Sequence, residues 1–391
     1  MHDYDLLVIG AGPAGAAAAL TAAREGLRVA LIDRHTFPRN KLCGGGVTGR
    51  ARTEAMTLLG RPLPAPLLEP RGRFAFYAGG APLGEIEGVP PIWMTTRIGF
   101  DAHLVEAALA AGAADHTGRP VAEVEPDAPA IRFRDGDRLT ARLIVGADGA
   151  ISVVARALYG TPFDPARIGF ALEVEAPPPD APEDAPVRID FGAADWGYGW
   201  SFPKSGSTTV GVGGLHARNP AMKTAMRAYM DLLDVDSARV KVQGAFLPFG
   251  EVRRKPGRGT VLLAGDAAGL VDPVTGEGIA YALASGRMAG EAAARALAER
   301  RPEAALGHYA RALRPIRRSL GQARLLQHVI HGTALREGFL SAFRRSGRLR
   351  YDYMRMLGGE MEYGDIARRT LRRLPSLAGR ALAARLKPAR G

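Results

Sequence analysis

The apolar positions change period several times along the chain, and each change predicts an element. Leu6 to Ile9, entered at Asp5, is a continuous apolar run, the pattern of a parallel strand buried on both faces. The alanine-rich stretch Pro13 to Glu25 predicts a helix with proline in its first turn and Gly26 as terminator. Arg28 to Ile32 then predicts a second buried strand. A helix over Ala102–Ala111, with strands near Val121, Ile131 and Leu143–Val145, continues the α/β pattern. Residues 168 to 214 switch to period-two alternation broken by turns, which predicts an inserted sheet, with the stretch Glu175 to Pro186 as an exposed loop. Val261–Ala264 returns to a short buried strand, and the pattern after Gly278 is helical almost to the end.

The junction of the first strand and helix carries chemistry. It reads Gly10-Ala11-Gly12-Pro13-Ala14-Gly15. Gly10 makes the tight turn, Gly12 admits a pyrophosphate, Gly15 lets the helix pack on the sheet, and the helix N-terminus offers free N–H groups to the phosphates. Asp33, closing the second strand, stands where a carboxylate accepts hydrogen bonds from a ribose diol.

Composition bounds this picture. With 391 residues and 47% hydrophobic content the chain should hold about two domains. No run of 18 apolar residues and no signal-peptide pattern is expected to direct it into or across a membrane, so the expected location is cytoplasmic. One cysteine, Cys43, excludes an internal disulfide and a thiolate zinc site. Arg336 to Gly391 carries 14 Lys/Arg against 5 Asp/Glu, so these 56 residues hold +9 of the net +12. Arg368 to Leu374 and Leu377 to Leu386 suggest basic amphipathic helices, either a solvated surface or a peripheral contact with an anionic inner membrane surface. No recognition motif for nucleic acid accompanies the charge.

Three further segments extend the dinucleotide pattern. They are Leu143 to Gly149 with Ser152 and Arg156, Val261 to Gly269 continuing through Pro273 to Gly276-Glu277-Gly278-Ile279, and Arg97-x-x-Phe100-Asp101-x-x-Leu104. Together with the first fingerprint they resemble the FAD-dependent oxidoreductases of the aromatic-hydroxylase type. The resemblance implies FAD, held by Gly10, Gly12, Ala14, Gly15, Asp33, Arg97, Val121, Asp266, Gly276, Gly278 and Ile279. It implies that Asp266 holds the ribityl chain and that the helix opening at Gly278 points its positive end at the flavin N1/C2 edge.

Two segments narrow the resemblance. Pro38 to Gly46, with Cys43-Gly44-Gly45-Gly46 at its end, and Tyr198-Gly199-Trp200-Ser201-Phe202-Pro203 are similar to the Cys-Gly-Gly and Tyr-x-Trp-x-Phe-Pro motifs of the geranylgeranyl reductase family. That likeness covers roughly residues 1 to 300. It implies that Cys43, Gly44 and Gly46 border the isoalloxazine ring and that Tyr198, Trp200 and Phe202 line an isoprenoid pocket. Strand alternation also predicts Trp196, Tyr198, Trp200 and Phe202 on one face, with Gly197, Gly199 and Ser201 nearly bare on the other, and a following strand over Thr208–Val212. Asp195 stands where the family usually has proline, and Val271 to Thr275 lacks the cysteine of chlorophyll-type reductases. His328 and His331, three apart on an expected helix, have no third ligand nearby and read as structural, so no metal is expected.

The expected architecture is a split Rossmann-like FAD-binding domain (1–70, 97–160 and 255–300), an inserted, mainly antiparallel β-sheet substrate domain (71–96 and 161–254), and a C-terminal basic helical region (301–391). The expected function is saturation of C=C bonds in a geranylgeranyl or polyprenyl chain. Reduced flavin lying between the Cys43 loop and the aromatic ribbon would give a hydride from N5, with Cys43 or a water as proton donor. No second nucleotide fingerprint follows a strand, so electrons would come from NADPH binding transiently or from a reduced carrier protein. The rival readings are a flavin-dependent monooxygenase or halogenase and a non-catalytic, membrane-associated flavoprotein.

Overall fold

The computed structural model describes residues 2–249 and 251–365 of the chain. Tyr4–Ile9 is the middle of a parallel sheet, paired with Arg138–Gly146 on one side and Val29–Ile32 on the other. Val261–Leu263 and Ala114–His116 extend it in parallel at its two flanks. The helix Pro13–Arg24 lies on this sheet, and alanine is common in it because neighbours press from several sides. The long helix Ile279–Ala298 crosses it so closely that a Cβ at Gly286 would stand 2.0 Å from the Ala14 carbonyl oxygen.

Around this first sheet two details depart from the pattern read in the sequence. The helix expected over Ala102–Ala111 begins at Arg97, because Arg97 and Asp101 sit one turn apart and bond bidentately, which settles the first turn. The strands Val121–Glu125 and Ala130–Phe133 form an antiparallel hairpin attached to the start of Arg138–Gly146, and so branch off the parallel sheet.

The second sheet runs in the order Gln243–Leu247, Gly169–Ala176, Thr208–Leu215, Tyr198–Pro203, Val187–Phe191, Phe74–Ala78, Ala81–Ile86. The helix Met222–Leu232 packs on one face of it. A Cβ at Gly199 would lie 2.7 Å from Tyr229 Cζ, so the bare glycine side of the aromatic strand is seating for this helix. The helices Thr333–Arg345 and Gly347–Leu357 cover another part of the sheet through Phe343 and Tyr353, which meet Phe76 and Phe191 in edge-to-face contacts. No described helix is long and apolar enough to cross a membrane. The basic segments Arg368 to Leu374 and Leu377 to Leu386 lie outside the described residues.

Trp196 does not continue the alternation of the aromatic strand, which begins at Tyr198. Its φ is +50°, and its ring is held by His328 edge-on, by stacked His331 and by the Arg218 guanidinium. The turn is pinned by Asn219, whose Oδ1 accepts the Asp195 N–H and whose Nδ2 donates to the Asp195 carbonyl, both at 2.8 Å. Proline, usual at this position in the resembled family, has no N–H to give, so Asp195 has a physical reason to be here.

His331 is buried, and burial followed by the Arg336 charge pushes it down to about 4. Its proton is bound by the unfolded chain below about 6.5 and refused by the fold until about 4, so stability is lost as pH falls through that window. Thermal melts should show a loss on the order of 3 kcal/mol across it. His331→Gln should remove most of that slope; an unchanged slope would discount the histidine.

Candidate functional site

The first strand–helix junction opens on a polar cavity of about 420 Å³ bordered by Gly10, Gly12, Ala14, Asp33, Arg39, Val121, Asp148 and Asp266. Gly15 does not reach it and acts behind it: a Cβ there would fall 1.6 Å from the Gly10 carbonyl oxygen. Gly10 itself has φ +98°. Asp33 holds the loop through Oδ2, which accepts the Ala11 N–H at 2.8 Å, and Oδ1, which accepts the His35 N–H at 2.9 Å. Each oxygen keeps further acceptor capacity for a ribose. Asp148 accepts the Ser152 hydroxyl and the Val153 N–H, and so supports Ser152, which caps the helix Val153–Tyr159 by accepting the Ala155 N–H.

Next to Gly12 lies a buried charge cluster. Arg97 Nε and Nη2 donate to Asp101 at 2.7 and 2.6 Å, and Arg39 Nη2 lies 3.0 Å from the same carboxylate. Two guanidinium groups share one carboxylate, leaving a net positive charge out of water. Burial works against charge on Arg97, but Asp101 more than offsets it and the net shift is upward. Arg39 Nη1 is buried with no hydrogen-bond partner. A Cβ at Gly12 would meet only Arg39 Nη2 at 3.6 Å and Arg97 Nη2 at 4.0 Å. The helix Pro13–Arg24 starts on Gly12 without a side-chain cap. An orphaned guanidinium nitrogen, uncapped N–H groups and excess positive charge suit a pyrophosphate, and these residues fit the central part of FAD.

Pro13, Lys41, Leu42, Asp266 and Ala282 line this cavity and also a second one, a slot of about 200 Å³. Asp266 lies at the junction, 3.7 Å from Lys41 Nζ. The slot is bounded by Cys43, Gly44, Gly46 and Arg97 on one side and by Gly276, Gly278 and Ile279 on another. The helix Ile279–Ala298 also begins on glycine, Gly278, without a side chain capping from that position. Tyr198, Trp200 and Phe202 all face the slot. Tyr198 donates its hydroxyl to the Thr275 carbonyl at 2.7 Å, and Trp200 lies across Gly211, where a Cβ would stand 2.3 Å from its Cζ2.

The aromatic strand and the Cys43 loop touch directly. A Cβ on Gly44 would be 3.1 Å from Phe202 and 3.2 Å from Trp200 Nε1. A flat ring therefore has no room between Gly44 and these two side chains, which corrects the expected sandwich; open space lies beside the contact, toward Pro13, Asp266 and Gly278.

Several lining residues carry no signal that local sequence reading would weigh. Tyr353 and Leu357 come from the helix Gly347–Leu357, and Glu173 and Ala171 from the strand Gly169–Ala176. Glu173 is 6% exposed and its Oε1 accepts the Cys43 N–H at 2.8 Å. Cys43 Sγ in turn accepts the Gly45 N–H at 3.5 Å. Glu277 Oε1 accepts the Ala280 N–H, while its Oε2 is buried without a partner. No group of three or more His, Cys, Asp or Glu among the described residues is placed to hold a metal ion.

Comparison with known proteins identifies the family and the fold. A sequence model of the FAD dependent oxidoreductase family matches residues 5–64. The chain is 34% identical over 312 residues to a menaquinone reductase of Mycobacterium tuberculosis, covering 73% of this chain and 76% of that protein. It is 34% identical over 308 residues to a geranylgeranyl diphosphate reductase of Rhodobacter capsulatus, covering 74% and 75%. Among solved structures, a geranylgeranyl bacteriochlorophyll reductase-like protein of Thermoplasma acidophilum superposes with a TM-score of 0.77 at 22% identity, over 88% of this chain and 92% of that one. A flavin-dependent brominase shares the fold with a TM-score of 0.70 at 20% identity, over 91% and 93%. The chain is an FAD-dependent oxidoreductase and belongs to the geranylgeranyl reductase family.

Proposed function

We propose that this protein saturates carbon–carbon double bonds in a geranylgeranyl or longer polyprenyl chain. The observation that carries the reading is the apolar slot, walled by Tyr198, Trp200, Phe202, Tyr353 and Leu357, which runs into the polar dinucleotide cavity at Asp266. Such a slot removes an oily chain from water at about 25 cal/mol per Å² and holds a bond that offers no charged handle. When bound, reduced FAD supplies a hydride. The chain's own contribution is to grip the pyrophosphate with Arg39, Arg97 and the N-terminus of Pro13–Arg24, to exclude water with the aromatic rings, and to present Cys43 and its neighbours where a proton is needed. NADPH or a reduced carrier protein would supply the electrons. Contact with an anionic membrane is proposed from the charge of residues 336–391 alone, and liposome co-sedimentation of the full chain tests it.

The decisive experiment is anaerobic. Pre-reduced holoenzyme is offered geranylgeranyl lipids, quinones and diphosphates, and products are weighed by mass spectrometry. A gain of two hydrogens per double bond is expected in at least one class. No gain in any class would overturn the reading in favour of a non-catalytic flavoprotein, and product formed only with oxygen consumed would transfer the assignment to a monooxygenase or halogenase.

A further inference from the structure

Four carboxyl groups line the slot: Glu173, Asp266, Asp272 and Glu277. Two of them are committed elsewhere, and a third is committed through one oxygen. Asp266 faces Lys41. Asp272 accepts the Tyr363 hydroxyl on both oxygens and the Val274 and Thr275 N–H groups on Oδ1. Glu277 bonds the first turn of Ile279–Ala298 through Oε1 and keeps Oε2 buried without a partner, with no exposed, hydrogen-bonded acid two residues along a strand beside it.

Glu173 is placed differently. It projects from the middle of Gly169–Ala176, while its neighbours Leu172 and Val174 turn into the apolar cluster beneath Met222–Leu232. Strand alternation puts Glu175 on the same face as Glu173, but at the open edge. The Glu175 side chain is 50% exposed and accepts from Ser207 Oγ at 2.6 Å, Thr209 Oγ1 at 2.8 Å and Lys204 Nζ at 3.3 Å. A buried carboxyl against the Cys43 loop is thus flanked by a hydrated, hydrogen-bonded rim.

Saturating an isolated alkene adds one hydride and one proton, so the site needs an acid that stays protonated in apolar surroundings and is refilled from water. We propose that Glu173 is that acid. The inference rests on the reductase reading. One alkene carbon takes a hydride, with its electron pair, from the reduced flavin. The other carbon forms a C–H bond as the Glu173 O–H bond breaks, leaving a saturated segment and a carboxylate. The carboxylate regains its proton from solvent past Glu175, Ser207 and Lys204. The groups that face Glu173 are the Cys43 N–H, Glu175, Lys204 and Arg97. Burial pushes its carboxyl up to about 7; the Cys43 N–H opposes this, Glu175 adds to it, and Lys204 and Arg97 oppose it. The acid form is therefore lost as pH rises through about 7, and the saturation rate should fall with it.

Glu173→Gln keeps an acceptor for the Cys43 N–H and carries no acidic proton. Single-turnover saturation by pre-reduced holoenzyme should drop roughly 10²- to 10⁴-fold, with flavin absorbance retained and the alkaline limb of the pH profile gone. Glu173→Asp should recover part of the rate. A second readout needs no turnover. Infrared spectra of the oxidised holoenzyme, titrated with pH, should show a protonated-carboxyl band with a midpoint of about 7 that Glu173→Gln lacks. An unchanged rate in a flavin-loaded Gln variant, or a wild-type spectrum without that band, overturns the assignment. If the Gln variant takes up no flavin, the Asp variant's pH profile and the wild-type spectrum decide it. A titrating band in a protein that saturates no prenyl chain overturns the reductase reading and upholds Glu173 as a neutral acid in the slot.

Discussion

Gly15→Ala should yield a colourless, destabilised protein, whereas Gly12→Ala should yield a colourless protein that melts like the wild-type apoprotein. At Gly15 the added methyl would sit 1.6 Å from the Gly10 carbonyl oxygen and 3.3 Å from Val8 Cγ1. Backbone cannot yield as a side-chain tip can, so the helix Pro13–Arg24 must lift off the sheet together with its buried alanines. Overpacking in a core costs about 1–3 kcal/mol, and a backbone clash of this depth belongs at or above the top of that range. At Gly12 the methyl meets only guanidinium nitrogens at 3.6 Å and beyond, an ordinary contact. It nevertheless fills space over the two guanidinium groups, where a pyrophosphate must come. Apoprotein melting and the flavin absorbance of reconstituted protein separate the two effects. A yellow Gly12→Ala with wild-type affinity would remove the cofactor from this cavity, and a Gly15→Ala variant that melts normally would deny the close approach.

The same comparison shows why one half of the molecule was legible in the sequence and the other was not. Gly15 and Asp33 act on residues within one strand–helix–strand unit, so spacing alone conveys their geometry, whereas the close approach at Gly10 is to the Ala147 carbonyl of a distant strand end. The aromatic ribbon was legible for a related reason: period-two alternation fixes which side chains share a face, and Tyr198, Trp200 and Phe202 do share one. At Trp196 the alternation stops, because Asn219 captures the chain at Asp195 and turns it out of strand geometry, although Trp196 still borders the same slot. It also could not show that Gly199 is small to admit Tyr229. Tyr353 and Leu357 reach the slot from 150 residues or more beyond the aromatic strand, and nothing local marks them. Glu173 looked like one acid among several on an alternating strand, since the partner that sets it apart, the Cys43 N–H, lies 130 residues away.

Asp101→Ala should be among the most damaging single changes in the apoprotein, and bound anions should partly repair it. Asp101 is fully buried and is the carboxylate on which both Arg97 and Arg39 converge. Removing it leaves two largely buried guanidinium groups without their shared carboxylate. Breaking a buried ion pair from one side costs about 3–5 kcal/mol, because the remaining charge keeps its desolvation penalty and loses its compensation. Here the remaining charge is double, so the loss should lie at the upper end. Replacing both arginines along with Asp101 should cost less than replacing Asp101 alone, since the penalty comes from stranded charge rather than lost packing. FAD, or inorganic pyrophosphate at high concentration, places negative charge over the same guanidinium groups and so binds the folded state in preference to the unfolded one. Melting temperature in the Asp101→Ala variant should therefore rise with pyrophosphate more steeply than in the wild type. A variant that melts normally, or one indifferent to pyrophosphate, would mean that the two arginines are satisfied in some other way and that the phosphate grip described for this cavity is misplaced.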